Sequence, residues 1–431
     1  MNLLRSLLWL LVFGSVLSPG HAQRTWKVWC VGGPGIDYTD LPPAVAAAAP
    51  GDTILVWHDS AMGCTPAGQV QYTAATIDKP LSVVGMFLSP QGLPLGTMPI
   101  GAGLGGVLRV TNLAAGDRVV LCNLSIGNWA PVSAGFELSN CDGEVILDGC
   151  SVDSLGEDNV VTSIVDCANV FMHGCRVDLS GTTVGITNST VTMSLTSISP
   201  VPPLPQLGHA YTQSVPGVTL VNSSLTLTGS YIRGSDGYTW PGYGWPFYPI
   251  HTREGVQMDN STLYIGPGTG VAAGSDSLGS GGGSVLRASW STPPGVVHRD
   301  PRAVLVGIVN VPTVVEYLHA TYSFWAVATQ NLGAYVVGPP DGFALLLFGD
   351  YQMSPLPTPF GDLLLDANAL TFVDLLAVPS TSWVYREYYV PSTVQYGHAY
   401  GLQALTLSPA GELALGLPTA FTVAWEPGRI P

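Results

Sequence analysis

Trp240, Tyr243, Trp245, Phe247 and Tyr248 crowd into one short part of this chain, in a segment from Gly229 to Gly255 that also holds Arg233, Asp236, His251, Arg253 and Glu254. Flat aromatic faces are surfaces on which sugar rings and peptide chains stack, and polar groups beside them fix the orientation of what is stacked. The candidate ligand-binding set is therefore Trp240, Tyr243, Trp245, Tyr248, Asp236, His251, Arg253 and Glu254. A second reading uses the same residues differently: the aromatics pack down as a cover over the protein beneath them. The prolines of the segment limit the entropy lost on ordering it, and part of Trp240, Tyr243 or Trp245 is expected to stay open to solvent.

Asp148 and His173 hold the same place in two consecutive copies of an eight-residue pattern. A carboxylate beside an imidazole can work as an acid–base pair, although such a pair more often makes only a hydrogen bond. Asp153 and Asp178 follow the same two copies by one residue. Stacked carboxylates can bind Ca²⁺ or divide acid and base roles between them. Neutralisation by Arg176 in an exposed ion pair is the plainer expectation. Neither pair assigns a catalytic residue, metal-site spacings such as paired C-x-x-C are absent, and no cofactor is implied.

The pattern that would position these groups occurs six times. It reads V-V-L-C-N-L-S-I from Val119, V-I-L-D-G-C-S-V from Val145, V-F-M-H-G-C-R-V from Val170, V-G-I-T-N-S-T-V from Val184, V-T-L-V-N-S-S-L from Val218 and V-Q-M-D-N-S-T-L from Val256. Apolar first and third positions have the period of a strand with one buried face. The fifth position is Asn123, Gly149, Gly174, Asn188, Asn222 or Asn260, the two residue types that enter the left-handed backbone region at least cost. Strand, left-handed corner and strand, repeated along the chain, build the coils of a parallel β-helix. Third-position Leu121, Leu147, Met172, Leu220 and Met258 should face inward, with eighth-position Ile126, Val152, Val177, Leu225 and Leu263. Val184 follows Val170 too closely for an ordinary coil, so Asn188 is left out of the set of equivalent corners. Apolar Val120, Ile146 and Phe171 at the outward second position imply that something covers the stack.

The first residues, a basic start at Arg5, an apolar run from Leu7 to Leu17 and Gly20-His-Ala22, describe a secretory signal peptide. That run is shorter than the roughly 20 residues needed to span a bilayer, and no later segment reaches that length uninterrupted, so no membrane span is expected in the mature chain. Losing Arg5 leaves 13 basic against 29 acidic residues, which argues against nucleic acid and against polyanionic glycans as partners. With 52 glycines, 35 prolines and only 10% charged residues, turn-rich β structure is favoured over helix. Seven cysteines in an exported chain permit disulfides and leave at least one thiol over. Cys30 and Cys64 form the natural bridge. Cys150 and Cys175 share the sixth position of consecutive repeats, about 4.8 Å apart, which allows either a disulfide across the rungs or a column of buried thiols.

Thr39 to Ala49 reads as a short helix capped by Thr39 or Asp40 and ended by Pro50-Gly51. The run A-V-A-A-A-A-P-G-D-T-I-L-V from 44 to 56, followed by I-D-K-P-L-S-V-V-G from 77 to 85, resembles the opening of secreted proteins with the pectate-lyase-like right-handed β-helix. The resemblance covers about 39 to 265 and implies a helix capping the N-terminal end of the coils. It says little of activity, because the fold serves lyases, hydrolases, isomerases and non-enzymes. Pectate lyases of this fold use acidic Ca²⁺ ligands and an Arg or Lys base, whereas the mature chain has only Lys27 and Lys79 as lysines. The N-T-D, D-D, G-H-G and R-I-K pattern of polygalacturonases has no counterpart here. Beyond 300, short strands between Pro and Gly turns suggest an antiparallel sandwich, and the stretch from Tyr400 to Val423 resembles a C-terminal β-sandwich segment of exported bacterial proteins, which implies attachment or secretion.

The expected protein is thus all-β: a signal peptide over 1–22, a right-handed parallel β-helix with its cap over 23–265, a Gly/Ser-rich linker over 266–300 and an antiparallel β-sandwich over 301–431. Its expected role is that of an exported, non-catalytic protein that binds a polysaccharide or cell-surface glycan. A divergent polysaccharide lyase or glycoside hydrolase is the alternative.

Overall fold

The computed structural model describes residues 23–424 apart from 31, 59–71, 88–101, 129–133, 155–159, 181, 202–214, 237–252, 275–283, 289–294, 317, 324–325, 328–330, 392–393 and 395–397. The chain divides into two compact units, Thr25–Tyr317 and Leu318–Ala424. In the first unit nearly every strand pairs in parallel with the strand one coil earlier and one coil later, which is the defining arrangement of a β-helix. Three ladders run along it. The first contains Val107–Thr111, Val184–Thr187, Val218–Val221 and Val256–Asp259, and the second contains Thr53–His58, Leu81–Phe87, Arg118–Cys122, Thr190–Ser194, Ser224–Thr228 and Thr262–Ile265. Two long strands, Ala134–Asp148 and Val160–His173, bend through both. The third ladder is a nine-stranded sheet that includes Leu124–Asn128, Ser151–Ser154, Arg176–Ser180, Ser197–Val201 and Tyr231–Arg233.

The left-handed corners fall into two columns, not one. Between the first and second ladders stand Asn112, Asn140, Asp166, Asn188, Asn222 and Asn260, with φ from 46 to 57°. Between the second and third stand Asn123, Gly149, Gly174, Leu195, Gly229 and Gly268, with φ from 50 to 70°. All the corners expected from the octets have positive φ, yet Asn123, Gly149 and Gly174 belong to the second column and Asn222 and Asn260 to the first. Asn188 joins Asn222 and Asn260, and the short step from Val170 to Val184 is explained: the two valines start octets on different ladders.

After every corner except Asn112 and Asn123, which Leu113 and Leu124 follow, comes a serine, a threonine or a cysteine, and several of these side chains supply what the bent backbone lacks. In the first column the N–H groups of Cys167, Ser189 and Ser223 donate to the hydroxyls of Ser189, Ser223 and Ser261 one rung on, at 3.0, 3.1 and 3.0 Å. Each serine in turn donates to the carbonyl two residues before it, at 2.7 Å. Cys150 and Cys175 sit in the second column, and their thiols donate to Leu121 O and Leu147 O at 3.3 and 3.4 Å. They are buried and form no disulfide, as is true of Cys122, Cys141 and Cys167. Of the two arrangements open for Cys150 and Cys175, the structure adopts the thiol column.

The interior follows the expected assignment: Leu121, Leu147, Met172, Leu220, Met258, Ile126, Val152, Val177, Leu225 and Leu263 all belong to one buried cluster. Helix Leu41–Ala47, capped by the Asp40 carboxylate on Leu41 N at 2.8 Å, adds Leu41, Ala44 and Val45 to the same cluster. The stack does not stop at 265. Gly270–Ala272, Ser284–Ala288 and Val296–Arg299 continue the three ladders, and Val304–Val306, Ile308–Asn310 and Thr313–Val315 add a further rung. The expected linker over 266–300 therefore contains coils, which its Gly and Ser content conceals, and the strands from 304 to 315 belong to the helix and not to the sandwich.

The second unit is an antiparallel sandwich. A sheet of Ala320–Ser323, Asn331–Val337 and Trp383–Tyr389 packs Leu332, Ala334 and Val336 against Ala344, Leu346, Leu402, Ala404 and Phe421 of a seven-stranded sheet. No helix among the described residues is long and apolar enough to cross a membrane.

Candidate functional site

Each third-ladder strand is followed in sequence by a first-ladder strand, and between such strands 202–214, 237–252 and 275–283 lie outside the described residues. Trp240, Tyr243, Trp245, Tyr248 and His251 lie outside the described residues. The two stems that carry them are described. Gly234 N donates to Ala272 O at 3.0 Å, Ser235 N to Val215 O at 3.1 Å, Arg253 N to Ser235 O at 3.2 Å and Gly217 N to Glu254 O at 3.1 Å. The Ser235 hydroxyl also accepts from Val215 N at 2.7 Å. Backbones pass so closely that a side chain at Gly255 would meet Ala272 O at 2.7 Å, and Gly217, Gly234 and Gly274 are more crowded still. Glycine is required here by close approach.

The charged members of the candidate set that are described hold this stem together. Asp236 pairs with Arg233. Glu254 is buried and pairs with Arg287 of the next rung at 3.1 Å. Arg253 is half-buried and lies where the second stem meets Ser235 and Gly274. Asp236 and Glu254 thus brace the segment, and they are not brought together with each other in one ion pair.

A second line of groups runs up the outer face of the second ladder. Cys122, Asp148, His173, Ser194 and Thr228 occupy equivalent places on five successive rungs, and all are buried. Val120, Ile146 and Phe171 beside them are buried too, so the outer face is covered. The His173 ring stacks on Phe171 at 6.5 Å, and neither of its nitrogens has a hydrogen-bond partner. Burial lowers its pKa from the ordinary 6.5, against the opposing field of Asp148. Carboxylate, imidazole and hydroxyl therefore stand in relay order without being joined: a working relay requires hydrogen bonds on both sides of the imidazole. The hydrogen bond expected between Asp148 and His173 is not made.

Arg176 does neutralise Asp178, with Nε donating at 2.6 Å, as an exposed ion pair should. The backbone of Asp153 pairs with that of Asp178, and its side chain lies outside the described ones, as does Cys64. Among the described residues no group of three His, Cys, Asp or Glu could hold a metal ion. Ser194 and Thr228 escaped notice in the sequence because V-T-M-S-L-T-S-I from Val191 has leucine at the corner and L-T-L-T-G-S-Y-I from Leu225 begins with leucine. The spacing of their inward residues was the signal that could have found them.

No family model matches the chain, and no curated protein matches it.

Proposed function

We propose that this is an exported protein of the cell surface or extracellular space that binds a polysaccharide without transforming it, through the aromatic segment 237–252 between a third-ladder and a first-ladder strand of a right-handed, pectate-lyase-like stack. The observation that carries the reading is the stem. Four glycines at close approach, the Arg233–Asp236 and Glu254–Arg287 pairs and the cross-rung bonds of Ser235 fix the two ends of a segment rich in tryptophan and tyrosine. Holding a stacking surface on a rigid base lowers the ordering cost of binding. In this reading residues 1–22 are a signal peptide and Cys30 bridges Cys64.

A glycan array probed with the mature protein tests it, alongside a Trp240→Ala, Trp245→Ala double variant. Loss of glycan affinity at an unchanged melting temperature supports binding. Earlier melting with affinity retained makes the segment a cover. Mass analysis of the secreted product should find Gln23 at its start and two fewer titratable thiols than its seven cysteines provide.

A further inference from the structure

Trp383–Tyr389 is an edge strand of the three-stranded sheet in the C-terminal unit. Val384 and Tyr388 turn toward the core, so Trp383, Tyr385, Glu387 and Tyr389 share the opposite face. Trp383 is 47% and Tyr389 64% exposed. Tyr385 stands opposite Tyr335, which stands opposite Tyr322 on the third strand. Ring centroids are 4.9 Å apart for Tyr335 and Tyr385, 5.0 Å for Tyr322 and Tyr335 and 5.7 Å for Tyr335 and Trp383. The result is an aromatic strip across the three strands, with Tyr389 farther along the same face of the edge strand.

Its geometry is held in place. A Cβ at Gly333 would lie 2.6 Å from the Tyr385 hydroxyl and 3.0 Å from its ring, so the missing side chain is what lets that ring lie down on the sheet. The Tyr385 hydroxyl donates to one oxygen of Glu387 at 3.0 Å, and the Asn331 amide donates to the other at 3.3 Å. Glu387 keeps lone pairs free beyond these two bonds, since each carboxylate oxygen can accept more than once.

We infer that this strip is a binding site for a neutral polysaccharide chain laid along the edge strand, independent of the segment 237–252. Flat rings alternate with a carboxylate and an amide, as suits a sugar whose apolar faces are rimmed by hydroxyls. From Trp383 to Tyr389 the strand extends about 20 Å, long enough for several sugar units. Glu387 within the strip and a net charge of -15 disfavour an anionic polymer. A protein partner would find few aliphatic side chains here: Val337, across from Trp383, is itself buried.

The test is electrophoresis of the full chain in native gels cast with hydroxyethylcellulose, xylan or galactomannan, with polygalacturonate for comparison. At least one neutral polymer should retard the protein. Trp383→Ala and Tyr385→Ala should each weaken relative affinity about tenfold, while Tyr385→Phe keeps it. The Trp240→Ala, Trp245→Ala variant should still be retarded, and adding Trp383→Ala should weaken what remains about tenfold. Since Trp383 is exposed, its loss should leave the melting temperature in place. Retardation unchanged by Trp383→Ala with Tyr389→Ala, or retardation by polygalacturonate alone, overturns the inference. So does a wild-type chain that sediments as a dimer and a Trp383→Ala chain that does not, which would make the strip a contact between copies.

Discussion

Leu195 has a φ of 50°, in a column of corners otherwise occupied by Asn and Gly. A left-handed conformation costs a residue with a Cβ roughly 1–2 kcal/mol, and the short amide side chain of asparagine offsets part of this through local hydrogen bonds. Leu195→Asn should therefore stabilise the first unit by about 1 kcal/mol, read as a higher urea midpoint at unchanged m-value. His173 acts through protons. Its folded pKa lies below the unfolded 6.5, so near and below that pH the unfolded chain binds more protons than the folded one. Stability should be fully present above the unfolded value and fall as pH is lowered through 6.5. Urea midpoints at pH 7.5 and 5.5 should differ less in His173→Gln than in the parent protein. Residue types alone made the corners of the octets legible, because few residues tolerate positive φ. They could not expose Leu195, which breaks the rule, or the unpaired state of His173, which depends on what covers the outer face.

Each coil has two tight bends, and the six octets mixed them. Both kinds read as strand, corner, strand, so the local pattern cannot say which pair of ladders a corner joins; only the distance to the next corner can. The asparagine column adds a bond that the glycines lack: Asn188 donates to Asp166 at 2.8 Å, Asn222 to Asn188 at 3.3 Å and Asn260 to Asn222 at 2.9 Å. Replacing Asn222 separates the two contributions. Asn222→Gly keeps the backbone at ease and should cost about 1 kcal/mol for the side-chain bonds, whereas Asn222→Leu should cost roughly 1–2 kcal/mol more. Chemical denaturation of both variants checks the order. In the interior, Leu225→Asp places an unpaired charge in a fully buried position and should unfold the first unit, which far-UV circular dichroism would report. The coils beyond 265 were not legible, since their strands are short and the Gly and Ser around them mimic a linker.

The two units have separate cores, and calorimetry of the intact chain should resolve two transitions, of which Leu225→Asp removes only one. The aromatic strip of the second unit was invisible as a site because Tyr322, Tyr335 and Tyr385 are distant in sequence and meet only through strand register. At the first unit's far end, Val304–Val306, Ile308–Asn310 and Thr313–Val315 pair with the preceding rung and with no later one among the described residues, leaving Val304, Val306, Ile308 and Val315 more than half exposed. The capped end, by contrast, is made from residues that a ribosome releases before the rest of the unit. Assembly can therefore keep pace with synthesis, each new coil settling on a template already finished, with the sticky face always the newest. Ribosome-bound chains arrested after residue 274 should already resist protease, and chains deprived of 25–58 should stay sensitive however far they are extended.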